Sequence, residues 1–143
     1  MNDQSKPPTS QGTHGQRLVA EALHTHPDAL RRLHPGGSAE DELAKLVVRA
    51  ARQLDNLQGE LVDRCTWAAT DLTRVAAGTM TANALGVLQN SATQIDILAA
   101  RRADAIAHLK SVLAAYHTAT TASSPQRPAP QPAPASTAAR RTR

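Results

Sequence analysis

From Leu43 to Tyr116, apolar residues recur in steps of three and four, and the pattern is symmetric about residue 80. The first half runs Leu43, Val47, Ala50, Leu54, Leu57, Leu61, Cys65, Ala68, Leu72, Val75, and the second runs Leu85, Leu88, Ala92, Ile95, Ala99, Arg102, Ile106, Leu109, Leu113, Tyr116. Such spacing marks one face of a helix, whereas a strand repeats every second residue. Folding the chain at residue 80 sets Val75 against Leu85, Leu72 against Leu88, Ala68 against Ala92, Cys65 against Ile95, Leu61 against Ala99 and Leu54 against Ile106. Large residues oppose small ones at several layers, so two backbones can approach closely without voids. The expected fold is all-α: a long antiparallel, coiled-coil-like helical hairpin with a short N-terminal helix packed at its base and disordered termini.

The expected arms cover about 39–77 and 81–117, each roughly 55–60 Å long at 1.5 Å per residue. Ser38 and Asp41 have capping-box spacing, and Glu40, Asp41 and Glu42 complement the positive end of the helix dipole. Gly78 suits a left-handed helix end, with Thr79 or Thr81 able to cap the next helix. The spacing Val75, Gly78, Ala82, Leu85 also permits one unbroken helix, and the turn is preferred because Gly and Thr are weak helix formers.

Upstream, residues 1–15 form a polar leader without periodicity, expected to be disordered. Residues 16–37 read as a short helix with Leu18, Ala22, Leu23, Leu30 and Leu33 on one side. Pro27 interrupts it, with the break expected at Thr25-His26, and Pro35-Gly36-Gly37 ends it. So tight a turn returns the segment against Leu43–Leu54 and Ile106–Tyr116. Residues 118–143 are Ala/Thr/Ser-rich and then Pro-rich, ending in Arg140, Arg141 and Arg143, and read as a disordered tail.

The formal charge of +4 is unevenly placed. Residues 38–117 carry eight basic and nine acidic groups, while the tail carries four arginines and no acid. On that count the folded body offers no basic stripe. No uninterrupted apolar run approaches the ~18 residues of a membrane span, and the lone Cys65 points to no disulfide. A cytoplasmic location is expected, with signal-less export leaving the same pattern.

Composition argues against an enzyme. Trp67 and Tyr116 are the only aromatic residues, Phe is absent, and Ala-rich helices pack too thinly for a deep pocket. No cofactor or small-molecule substrate is expected. His24, His26 and His34 lack nearby partners to complete a zinc site, so no metal is expected either. Asp104 and His108 share a helix face without a nucleophile beside them. Cys65 reads as a seam residue rather than a reactive thiol. Arg102 alone breaks the apolar seam, opposite Leu57 and Gly59 with Asp55 and Glu60 in reach. It either makes a register-fixing charged contact or snorkels outward.

Both arms carry apolar shoulders beside the seam: Ala44, Ala51, Val62, Ala69 and Ala76 on the first, Ala84, Leu98, Ala105 and Val112 on the second. A face that wide wants a second neighbour. The short helix covers only the base, so the outer half is the expected contact surface, through Leu61, Val62, Trp67, Ala69, Leu72, Ala76, Ala84, Leu85 and Leu98. Trp67 is either an exposed anchor or buried within an oligomer. The leading expectation is a non-catalytic protein–protein interaction or oligomerisation module, partnering itself or another helical protein. A second reading is weak nucleic-acid association through Arg140, Arg141 and Arg143. A third is an exported helical hairpin, similar in shape alone to those of type VII secretion, since Val75–Thr81 reads VAAGTMT and lacks Trp-x-Gly.

Overall fold

The computed structural model describes residues 13–79 and 84–123, with Ala84 described in its backbone alone. Four helices follow in order: α1 (His14–Leu23), α2 (Pro27–Leu30), α3 (Ala39–Ala76) and α4 (Ala84–Ser123). The long helices α3 and α4 pack against each other as a hairpin, and α1 and α2 lie at its base, chiefly against α3. Of the expected leader, residues 1–12 lie outside the described residues, but His14 and Gly15 already belong to α1, with Gly15 buried; Met80–Thr81 and the tail beyond Ser123 also lie outside the described residues.

The chain does turn after α3 rather than continuing as one helix. Gly78 takes φ +70°, its N–H bonds the Val75 carbonyl at 3.0 Å, and the Thr79 N–H bonds the Arg74 carbonyl at 3.0 Å. This paired closure, with glycine in the left-handed conformation, is the Schellman helix end. The start of α3 is equally well made. Ser38 Oγ accepts the Asp41 N–H at 3.1 Å, and the Asp41 carboxylate accepts the Gly37 N–H at 2.8 Å. That hydrogen bond first, and Lys45 at 2.9 Å second, hold Asp41 below the usual carboxylate range. α4 extends past the residue-117 limit expected for its arm, and at its end the Ser123 hydroxyl donates to Glu40 and lowers that carboxyl's pKa.

The core is confined to the base. Val19, Leu30, Ala44, Val47, Ala51 and Leu54 pack with Ala105, Leu109, Val112, Leu113 and Tyr116. At its edge the Tyr116 hydroxyl and His34 Nε2 hydrogen-bond at 2.7 Å, ring edge to ring face, and burial pushes the Tyr116 phenol up.

Several expectations about facing need correction. In α1 the buried residues are Gly15 and Val19, while Leu33 is 57% exposed. α1 ends at His24, in the left-handed conformation, before the expected break. In α4 the buried residues are Leu98, Ala105, Leu109, Val112, Leu113 and Tyr116, so Leu98, read as a shoulder, belongs to the seam at 8% exposure, while Ala99 is exposed. Cys65 is exposed rather than held in the seam. The registration is nevertheless as expected, because Arg102 Nε donates to the Gln58 side chain, two residues symmetric about 80. Arg102 thus meets a neutral amide; neither Asp55 nor Glu60 takes it, and Gly59 faces open space. Asp55 is engaged at the other side of α3, by α1.

Candidate interaction surface

Beyond Leu54 on α3, and before Leu98 on α4, no described residue is buried. The reason lies in how far α1 and α2 reach. Ala44 and Ala51 face α1 at the base: a Cβ on Gly15 would come within 2.3 Å of the Ala51 carbonyl oxygen. Val62 and Ala69 lie 18 residues further along the same helix, five full turns at 3.6 residues per turn, and therefore on the same line. On α4, Leu88 and Ile95 stand in the same relation to Ile106 and Leu113, which join the base core. One face of the hairpin is thus covered by α1–α2 at the base and bare in its outer half.

The bare half forms a groove of about 470 Å³ between the arms. Cys65, Ala69 and Leu72 line one wall and Leu88, Ala92 and Ile95 the other. Val62 and Leu85 extend the face at 51% and 58% exposure. Of the expected contact residues, Val62, Ala69, Ala76 and Leu85 are exposed, and Leu61 and Leu72 are half-buried toward the seam. Leu98 is withdrawn into the seam at 8% exposure, while the side chain of Ala84 lies outside the described residues. Trp67, 61% exposed, stands two positions from both Cys65 and Ala69, about 160° round the helix from that line. It is stacked by the Arg64 guanidinium at 5.2 Å, and Arg64 lines a separate groove with Glu60, Gln94 and Arg101. The structure therefore does not bring Trp67 to the apolar groove.

The histidines are dispersed. His24 ends α1, His26 caps α2 by accepting the Asp28 N–H, and His34 meets Tyr116. Among the described residues no group of three or more His, Cys, Asp or Glu side chains converges on a metal-sized site. Asp104 and His108 line an open groove with Glu60 and Arg101, with no Ser, Thr or Cys in its walls. Among the described residues no helix is long and apolar enough to cross a membrane.

A local basic cluster overturns the expectation of a body without one. Lys45, Arg49 and Arg52 follow the i, i+4, i+7 line of one α3 face, and Arg31 at the end of α2 closes them into a cleft of about 250 Å³ floored by buried Val48. The net count over residues 38–117 concealed it, since acids such as Asp63, Asp71, Asp96 and Asp104 sit elsewhere along the arms. Arg140, Arg141 and Arg143 lie outside the described residues.

No protein-family model, curated protein or solved structure matches this chain.

Proposed function

We propose that this protein is a non-catalytic helical interaction module that associates with a second copy of itself through the outer half of its hairpin. The observation that carries the reading is the groove between the arms that α1 and α2 cover at the base and leave bare from Val62 on α3 and Ile95 on α4 toward the tip. Apolar surface left in water costs about 25 cal/mol per Å², and a partner's helices remove it. Two hairpins laid face to face in opposite directions would pair outer half with outer half, leaving room for each copy's α1–α2 beyond the other's tip. A two-fold arrangement of this kind is self-complementary and closes without propagating, and four helices then surround a shared core.

Sedimentation equilibrium of the full chain tests the reading. A concentration-dependent dimer is expected, and Leu85→Glu combined with Leu88→Glu should give a monomer of unchanged helical circular dichroism. A wild-type chain that stays monomeric at all accessible concentrations overturns it.

A further inference from the structure

The basic cleft between α2 and α3 is far from the apolar groove and does not depend on self-association. We propose that it binds a phosphate-bearing anion of the polyphosphate class, whether free or as the backbone of a nucleic acid. Four of the five side chains lining the cleft are cationic, and the fifth, Val48, is a buried apolar floor. Local carboxylates neutralise only part of this charge. Lys45 is held by Asp41 at 2.9 Å and Glu42 at 2.7 Å, and Arg52 reaches Asp28 only at 4.0 Å. Arg31 and Arg49 have no carboxylate partner among the described residues.

Two exposed guanidinium groups, Arg31 at the C-terminal end of α2 and Arg49 on α3, line the cleft without a carboxylate of their own, and an anion seated between them is attracted by both. The planar fork of arginine matches the oxygens of a phosphate in bidentate fashion. A single carboxylate would supply one charge to this cluster. Linked phosphates supply several, and the line from Lys45 to Arg52 runs roughly 10 Å along α3, the reach of a short phosphate chain. The contacts are to phosphate oxygens alone, so the site reads charge and spacing without base sequence.

The test is calorimetric titration of the full chain with sodium tripolyphosphate at low salt, repeated with a short DNA duplex. Tripolyphosphate should bind, and Arg31→Ala with Arg49→Ala should weaken it at least tenfold while leaving the helical spectrum and the sedimenting mass unchanged. Substituting Arg140, Arg141 and Arg143 with Ala should leave tripolyphosphate binding in place. Tighter binding of the duplex with the same dependence on Arg49 assigns the ligand to a nucleic-acid backbone; binding of tripolyphosphate alone assigns it to a free polyphosphate. Absence of binding by both, or binding that follows the tail arginines and ignores Arg31 and Arg49, overturns the proposal. Because mass and anion binding are read separately, loss of the cleft is distinguishable from loss of self-association.

Discussion

Asp55, in the middle of α3, accepts the Gly15 backbone N–H at 2.6 Å and the Thr13 hydroxyl at 2.6 Å, so the first turn of α1 is capped by a different helix. Thr13 stands at the N-cap position of α1 and makes no side-chain cap of its own. One of the orphan N–H groups that every helix start exposes, that of Gly15, is met here by a carboxylate forty residues away. Asp55→Ala should cost about 2 kcal/mol, the scale of hydrogen bonds to a charged acceptor. Hydrogen exchange should show the loss first at the α1 amides; uniform acceleration along α3 and α4 would argue against a local tether.

Glycine-to-alanine substitutions should have opposite signs at two sites. Gly15→Ala drives a methyl into the Ala51 backbone and pushes α1 off α3. Overpacking against backbone costs about 1–3 kcal/mol, more than the gain in helix propensity. Gly59→Ala, in α3 with nothing within 4 Å, should instead stabilise by about 0.5–1 kcal/mol. Urea midpoints of the two variants moving in the same direction would refute the close approach of α1.

The Arg102–Gln58 hydrogen bond predicts a measurable coupling between the arms. In a double-mutant cycle with Arg102→Leu and Gln58→Leu, the coupling energy should be about 0.5–1.5 kcal/mol. Apolar replacement of both should be close to neutral, because the half-buried seam accepts leucine. A coupling of zero would place Arg102 in solvent.

Stability should fall at both ends of the pH range. Glu40, lowered first by the Ser123 hydroxyl, and Asp41, lowered first by the Gly37 N–H, contribute fully above the ordinary carboxylate value near 4. That contribution is lost as pH drops through their depressed folded values. Tyr116 is raised by burial, so its contribution is complete below about pH 10 and is lost as pH climbs through the folded value. Urea midpoints recorded against pH should therefore flatten on the acid limb in Glu40→Gln with Asp41→Asn, and on the alkaline limb in Tyr116→Phe.

The single cysteine and single tryptophan report on separate faces of the outer half. Cys65 lines the apolar groove, and Trp67 lies on the side stacked by Arg64. Association through the groove should slow thiol labelling of Cys65 as protein concentration rises, while Trp67 emission stays water-like. A blue shift of Trp67 with unprotected Cys65 would move the interface to the other face.

The three-four repeat determined by itself that this chain is helical, and its symmetry about residue 80 determined how the arms are registered. Both follow from local backbone geometry, since period and chain reversal are written in the order of the residues. The Ser38–Asp41 cap and the Gly78 helix end were legible for the same reason. Which of two adjacent stripes on α4 turns inward was decided only by packing. Leu98 with Ala105 and Val112, and Ala99 with Ile106 and Leu113, extend equally good heptads; toward the base both lines reach the core, and at the level of residues 98 and 99 only Leu98 is buried. The role of Gly15 was hidden because its cause, the Ala51 backbone, is remote in sequence. The basic cleft was hidden because net charge sums over a chain, whereas an anion meets only the groups that two helices bring together. The bare groove has the same origin: sequence shows a wide apolar face, and only the reach of α1 and α2 says where its cover stops.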